Sequence, residues 1–207
     1  VVPTTSSGPV TIEFWANGTD VSQGAVITKY EQINSPASNF FIGFGGTNQM
    51  QAIGDGSGSA SLTTTTFTPG TWNHFAVIFE AGVNATQIYV NGVLDVTGTL
   101  EYNPSDGGSP IVIGRPENAN PADFFDGSID ELRIWNTART PTEIADNKDF
   151  ELDGNEPGLV AYYQFDEKSG TTLYDRSINE NNGTNNGVVL VAASGAMQTG
   201  PTPDVPS

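Results

Sequence analysis

Short runs of alternating apolar and polar residues recur along the chain, with turn residues between them. Alternation with a period of two predicts strands that bury one face. Many short strands at this spacing favour a sandwich or a jelly roll. Asn91-Gly92 predicts a two-residue hairpin, because both positions tolerate positive φ. The predicted strands are 10–16, 24–30, 39–45, 49–54, 72–80, 86–91, 93–97, 110–114, 128–135, 158–166, 171–175 and 187–192.

One short helix is predicted over residues 141–147. Thr140 can cap its first turn, and Pro141 suits the first helical position. Glu143 stands three residues after Thr140, as a capping box requires. Because the helix has only about two turns, we interpret it as a plug over an edge of the sandwich.

The predicted strand 128–135 contains two adjacent carboxylates, Asp130 and Glu131. Alternation places Asp130 on one face with Leu132 and Ile134. The opposite face then has Ile129, Glu131, Arg133 and Trp135. A carboxylate in line with core residues is costly unless it is paired, hydrogen-bonded or bound to a metal. We therefore expect Asp130 to have a special role.

The charge of the chain excludes some classes of binding partner. It has 24 acidic and 7 basic residues in 207, for a formal charge of −17. Nucleic acids and anionic membranes attract clusters of lysine and arginine, so neither is an expected partner. There is no cysteine and no apolar run long enough to span a membrane. This composition favours an extracellular bacterial protein in which calcium replaces disulfide bonds as the stabilising element.

The length suits one all-β domain. We predict a single domain over 1–196, followed by a linker over 197–207, whose composition is rich in proline and threonine. No signal peptide is evident. We therefore expect the chain to be a module that has neighbouring domains in a larger protein.

Several stretches together resemble bacterial laminin-G-like modules of the concanavalin A-like lectin/glucanase superfamily. They are TIEFW, PGTWNHFAVIF, IVIG, FDGSIDELRIWNTARTPTEI and EPGLVAYYQFDEKSG, and the likeness runs from about residue 10 to about residue 196. The resemblance implies a two-sheet jelly roll with a structural calcium at its edge. It also implies a binding role, often for glycans. The family's usual opening FDG-like strand is not found at the start of this sequence: either it lies upstream, or the segment YYQFDE takes its place.

Calcium takes six to eight oxygen ligands from Asp, Asn and backbone carbonyls. We predict Asp130 as a ligand, with Asp126 and Asp166 as further ligands. The loop 115–127 is rich in such oxygens and leads directly into Asp130. In the alternative interpretation Asp126-Gly127 is a turn and the asparagines are loop caps.

A glycan site needs an aromatic face beside hydrogen-bonding side chains. Two loops offer this combination: 116–126 and 98–108. They should emerge at opposite ends of the strand 110–114, and we favour 116–126. The alternative is that Phe124 or Phe125 is buried. The predicted ligand-binding residues are Asn118, Asn120, Asp123, Phe124 and Tyr102.

Catalysis is not expected. Asp130 and Glu131 are neighbours and point to opposite faces, so they cannot flank a glycosidic bond as a pair. His74 is the only histidine; it shares its strand face with Trp72 and Ile78, which predicts a packed side chain.

The sequence thus predicts an all-β, two-sheet antiparallel jelly-roll sandwich with one short helix. Its predicted function is non-catalytic, calcium-stabilised recognition of carbohydrate, in a larger secreted or cell-surface protein. The alternative is a structural spacer or a protein-binding adhesin module without a sugar site.

Overall fold

The structure is a computed structural model that describes residues 8–20, 23–29, 40–45, 48–54, 61–65, 67–80, 85–100, 110–115 and 124–190. In these residues one helix forms, α1 (Pro141–Asn147). The strands are β1 (Val10–Asp20), β2 (Gln23–Lys29), β3 (Phe40–Gly45), β4 (Met50–Ile53), β5 (Ser61–Thr63), β6 (Asn73–Glu80), β7 (Ala85–Val90), β8 (Val93–Gly98), β9 (Val112–Ile113), β10 (Asp126–Trp135), β11 (Leu159–Tyr163), β12 (Thr172–Leu173) and β13 (Gly183–Thr184).

Two large antiparallel sheets form the sandwich. One has the order β11-β10-β1-β6-β7-β8, and the other has the order β5-β4-β3-β2-β9. A separate pair, β12-β13, completes the described strands. The predicted all-β, two-sheet antiparallel sandwich with one short helix is confirmed.

The core lies between the two sheets and follows from strand alternation. In β1, Ile12 and Phe14 are fully buried in the main apolar cluster. Phe44 of the opposite sheet packs against Phe75, with ring centroids 5.8 Å apart. Burial of such aromatic side chains is the largest stabilising contribution in a sandwich of this kind.

The helix begins as predicted. The Thr140 hydroxyl accepts a hydrogen bond from the Glu143 backbone N–H, and the Glu143 carboxylate accepts one from the Thr140 N–H. Its place differs from the prediction. Ile144 is buried against Ala76 and Ile78 of β6, so α1 covers the outer face of the six-stranded sheet instead of plugging an edge of the sandwich.

A bulge in β10 changes which side chains share a face. Glu131 has φ of 52°, and the register with β1 shifts between the pairs Glu13↔Arg133 and Trp15↔Asp130. Ile129 consequently packs against the main core, whereas Glu131 does not. The predicted alignment of Asp130 with Leu132 and Ile134 was wrong, because the extra residue of a bulge reverses alternation before it. Asp130 instead lies opposite Trp15.

The open edge of β11 is covered by side chains. The carboxylate of Asp175 accepts a hydrogen bond from the Tyr162 N–H at 2.8 Å. The Val160 carbonyl accepts bonds from Ser177 Oγ and from the Asn179 amide. These groups occupy positions that another strand would use, which protects an apolar edge from pairing with other chains.

The C-terminal part differs from its prediction. Residues 187–190, the described part of the predicted strand 187–192, are not in a strand. Since the edge of β11 is already occupied, this apolar run has no edge there to join. The short strand β13 was not predicted. The predicted domain end at 196 and the linker 197–207 lie outside the described residues.

Candidate functional site

A groove of about 1200 Å³ lies along one side of the sandwich. It is where the edge strands of the two sheets, β9 and β11, come together with the beginning of β10. Most of its lining comes from four segments, 110–115, 124–130, 163–166 and 181–190. The site therefore depends on the fold, because these segments are far apart in sequence.

The groove brings together four of the eight predicted site residues. Phe124, Asp126, Asp130 and Asp166 all line it. The other four lie outside the described residues; they are Asn118, Asn120, Asp123 and Tyr102. A groove lined by both aromatic and carboxylate groups combines the chemistry that the sequence assigned separately to a glycan site and to a metal site.

The two adjacent phenylalanines before β10 both line the groove but differ in burial. The Phe125 ring stacks on Phe44 with centroids 5.3 Å apart and packs against the main core. Phe124 forms an isolated bridge with Ala25 and remains 42% exposed. Gly127 allows the close passage of β1, because a Cβ there would be 2.4 Å from the Asn17 carbonyl. Phe125 thus anchors the segment in the core, while Phe124 is the exposed aromatic ring of the groove.

Asp130 is a half-buried carboxyl in the groove. Burial, together with the negative charges of Glu131 and Asp166, raises its pKa to about 7. A hydrogen bond of 3.0 Å from the Glu131 N–H opposes this rise. A neighbouring cation would lower the pKa of Asp130 again by favouring its charged form.

Glu131 lies in a different environment, although it is the next residue. Its carboxylate accepts hydrogen bonds from Arg133 at 2.8 Å and from the Tyr162 hydroxyl at 2.6 Å. Arg133 also donates to the carbonyls of Asn147 and Phe150. Burial raises the pKa of Glu131, and Arg133 opposes that rise. Glu131 is therefore part of a buried polar layer on the outer face of the six-stranded sheet, beneath the segment that follows α1.

His74 belongs to the same outer face and not to the groove. It is 1% exposed, and its Nε2 lies 3.5 Å from a Glu13 carboxylate oxygen. Its ring meets Trp15 edge-on with centroids 5.5 Å apart. Burial lowers its pKa. The environment of His74 is that of a packed structural residue.

One wall of the groove was not predicted from the sequence. It consists of a run of side-chain amides, Asn181, Asn182, Asn185 and Asn186. The repeated asparagines in ENNGTNN were the available signal, but asparagine runs are also typical of turns. Only the fold shows that this run faces the loop before β10.

Aromatic side chains also line the groove beyond those predicted. Tyr163 and Phe165 stack with centroids 6.0 Å apart, and the Tyr163 hydroxyl donates to the Asn181 carbonyl. Phe165 has φ of 56°, a conformation that is an outlier for a bulky residue. Trp72 lines the groove too, although the sequence predicted it in a strand.

Among the residues that the structure describes, no group of three or more His, Cys, Asp or Glu side chains could hold a metal ion. Asp126, Asp130 and Asp166 therefore do not form a complete metal centre by themselves. Within the same residues, no helix is long and apolar enough to cross a membrane.

Comparison with protein families gives one clear match. The model of the laminin G family described as the concanavalin A-like lectin/glucanases superfamily matches residues 2–145. This match includes the sandwich strands up to β10 and most of α1.

Comparison with individual proteins gives more distant likenesses. A rat protein named sushi, von Willebrand factor type A, EGF and pentraxin domain-containing protein 1 is 26% identical over 152 residues. The match covers 70% of this chain but 4% of the rat protein. This chain therefore spans only a small part of the length of that relative.

Solved structures show the same fold at low identity. A putative carbohydrate-binding protein from Bacteroides ovatus has a TM-score of 0.71 at 22% identity, with 90% of this chain and 54% of that chain covered. The CBM40 of the Ruminococcus gnavus IT-sialidase, bound to α2,3-sialyllactose, has a TM-score of 0.54 at 14% identity, with coverage of 67% and 82%. At these identities the likeness shows the fold alone.

Proposed function

The chain belongs to the laminin G-like family of the concanavalin A-like lectin/glucanase superfamily, and from this premise we propose that it is a non-catalytic module that binds carbohydrate. The observation that supports this proposal is the groove between the two edge strands. Carbohydrate-binding proteins among the structures of the same fold also support it.

The groove has the chemistry that a sugar requires. Sugar rings present C–H faces to aromatic side chains, and Phe124 is an exposed aromatic side chain in the groove. Sugar hydroxyls donate and accept hydrogen bonds, which the exposed amide of Asn186 and the amide N–H groups of Asn182 can reciprocate. The Asn185 amide is bonded to Gly187 and Val188 instead. An open groove buries only part of a ligand. We therefore expect dissociation constants of order millimolar to micromolar, which multivalent display on a surface would strengthen.

Calcium is part of the proposal. Asp130 and Asp166 are carboxylates close enough for the charge of one to raise the pKa of the other, and a bound cation would relieve that repulsion. Asp130, Asp166 and Asp126 are the residues that would hold it, and the oxygen-rich segment 116–123 precedes them in sequence. Calcium would supply a fixed positive charge and order its ligands.

We further propose that the module acts outside the cell, within a larger secreted or surface protein. Extracellular function is typical of laminin G-like binding modules, which supports this proposal. The absence of cysteine and the high acidity fit a calcium-loaded module of that kind. Its partners would be a glycan or another cell-surface ligand, together with neighbouring domains.

The experiment compares two phenylalanines with equal exposure. Phe124 lines the groove and Phe150 does not, and each is 42% exposed. Glycans retained on an array would be titrated by calorimetry in calcium and in EDTA. Phe124→Ala should weaken binding by about tenfold, the equivalent of one lost aromatic contact. Phe150→Ala should bind like the wild type.

Other outcomes would contradict the proposal. If no glycan is retained, the spacer or protein-binding adhesin function replaces it. If both variants bind normally, the groove is not the sugar site.

Hydrolysis is the second candidate function, and one observation favours it. A carboxyl with a raised pKa beside a second carboxylate, as Asp130 lies near Asp166, is also the arrangement that glycosidases use. Each retained oligosaccharide would therefore be incubated with the protein and its products separated by chromatography. Shorter products that disappear in Asp130→Asn would establish an enzyme.

A further inference from the structure

Cations are scarce in the groove. Only two of the seven lysine and arginine residues of the chain line it, Lys29 and Arg115. Lys29 is 5% exposed, so its charge is largely covered. Arg133 and Arg139 lie in the buried layer on the outer face of the six-stranded sheet. The remaining three are outside the groove lining: Lys148, Lys168 and Arg176.

The parts of the chain outside the described residues cannot change this balance toward positive charge. They contain no lysine, arginine or histidine. The segments 101–109 and 116–123 are joined in sequence to the groove residues Pro110 and Phe124. Their charged residues are all acidic: Glu101, Asp106, Glu117 and Asp123.

The groove itself has three carboxylates, Asp126, Asp130 and Asp166. A bound calcium ion would offset two of these charges, but the chain as a whole has a formal charge of −17. A ligand that has carboxylate or sulfate groups would enter a negative field and meet one half-buried guanidinium, that of Arg115. Like charges across an interface oppose binding.

The uncharged part of the lining suits hydroxyl groups. The exposed amides of Asn182 and Asn186 in the amide wall at 181–186, and the hydroxyl of Ser128, offer neutral donors and acceptors. The groove volume, about 1200 Å³, exceeds the roughly 300–1,000 Å³ of pockets that hold a drug-sized ligand. A single sugar would leave much of this volume filled with water, whereas several consecutive sugar units would use it.

We propose that the groove binds several consecutive units of an uncharged oligosaccharide or polysaccharide and rejects anionic glycans. The inference rests on the proposed carbohydrate-binding function and narrows it to a substrate class. Charge selects the class, and groove size sets the number of units.

The test measures neutral and acidic oligosaccharides of matched length by calorimetry, with calcium and with EDTA. The neutral probes are the hexaoses of the cello-, xylo-, manno- and arabino-series, and lactose. The acidic probes are hexagalacturonate, a hyaluronan hexasaccharide and α2,3-sialyllactose. At least one neutral hexaose should bind at least tenfold more tightly than every acidic probe in both conditions. Its affinity should rise from the dimer to the hexamer.

Each other outcome has a separate meaning. An acidic probe that binds as tightly as the best neutral probe overturns the inference and leaves carbohydrate binding intact. Affinity that is complete at the dimer overturns the assignment of several units. If no probe of either kind binds, the proposed function fails and the inference with it.

A matched pair of variants tests whether groove charge sets the selectivity. Ser128→Lys adds one cation to the groove, and Ser169→Lys adds the same charge at an exposed position outside it. Ser128→Lys should shift the acidic-to-neutral affinity ratio by about fivefold toward acidic probes, since one close charge pair in water has about this effect. Ser169→Lys should leave the ratio unchanged. Equal ratios in the two variants would overturn the electrostatic part of the inference.

Discussion

Glu131 and Asp130 are adjacent carboxylates in contrasting environments: Glu131 lies on the outer face of the six-stranded sheet, and Asp130 lines the groove. On the outer face, Glu131 is 3% exposed and has two side-chain donors, Arg133 and Tyr162. In the groove, Asp130 is half-buried, and the groups that act on its pKa include the negative charges of Glu131 and Asp166. The outer-face group is satisfied within the protein. The charged form of Asp130, in contrast, would be stabilised by a bound cation or by a hydrogen-bonding ligand.

The bulge at Glu131 is the cause of this difference. With regular alternation, Asp130 would lie among the core residues. The extra residue reverses alternation at the beginning of β10, so that Ile129 packs against the core and Asp130, opposite Trp15, is among the residues that line the groove. The strained backbone at Glu131 thus gives two neighbouring carboxylates different environments: Glu131 is buried and paired, and Asp130 is half-buried.

The largest effect should come from breaking the buried pair on the outer face. Arg133→Met leaves Glu131 buried without its cationic partner, which typically costs about 3–5 kcal/mol of the free energy of unfolding. Urea denaturation would measure it. Arg176→Met removes an exposed cation and should change stability by less than about 0.5 kcal/mol. The distinction between the two regions fails if both variants lose the same amount.

A double variant sharpens this prediction. Glu131→Met with Arg133→Met removes both charges and should be more stable than Arg133→Met alone, because the unpaired buried charge is gone. A double variant that is less stable than either single one would mean that the carboxylate has favourable contacts independent of Arg133.

The two phenylalanines before β10 give the next effect in size. Phe125→Ala removes a ring that stacks on Phe44 in the core and should lower the free energy of unfolding by about 3 kcal/mol. Phe124→Ala removes a ring that is 42% exposed and should change stability by less than about 1 kcal/mol. Thermal denaturation of the two variants would measure the difference. Equal losses would place both rings in the core.

The sequence predicted those features whose causes are local. Thr140 and Glu143 predicted the helix start because a capping box involves only neighbouring residues. Asn91-Gly92 predicted the hairpin between β7 and β8, where both residues have positive φ. Alternation predicted the strands, and together they indicated the sandwich.

The rest depends on contacts between distant parts of the chain. The bulge at Glu131 is set by pairing with β1, more than a hundred residues away. The amide wall of the groove forms because residues 181–186 lie near the loop before β10 in the fold. No local sequence pattern predicts that contact. For the same reason the predicted alignment of Asp130 with Leu132 and Ile134 was wrong, and the role of Asp130 as a ligand stays a prediction.

Calcium should affect the groove and not the outer face. If Asp130 is a ligand, Asp130→Ala should lower the melting temperature markedly in calcium and only slightly in EDTA. A ligand at 100 times its dissociation constant stabilises the folded state by about 2.7 kcal/mol. Differential scanning calorimetry of wild type and variant in both buffers would measure this. Equal destabilisation in the two buffers would indicate a hydrogen-bonding role instead.

The smallest expected effect is the pH dependence of stability in EDTA. The folded state raises the pKa of Asp130 to about 7, whereas an unfolded aspartate has a pKa of about 3.9. The folded state therefore holds this proton more tightly. The resulting stabilisation is complete below about pH 4 and is lost as the pH rises toward 7. Because Asp130 is only half-buried, we expect solvent screening to reduce the loss to about 1 kcal/mol.

Urea titrations at pH 5 and pH 8 in EDTA would measure this loss. Asp130→Asn has no proton to lose and should be less sensitive to pH than the wild type over this range. Asp153→Asn, an exposed aspartate outside the groove, is the control and should follow the wild type. If Asp130→Asn keeps the full pH dependence, titration of Asp130 does not cause it. The contrast between Asp130 and Glu131 would then have to be explained by burial alone.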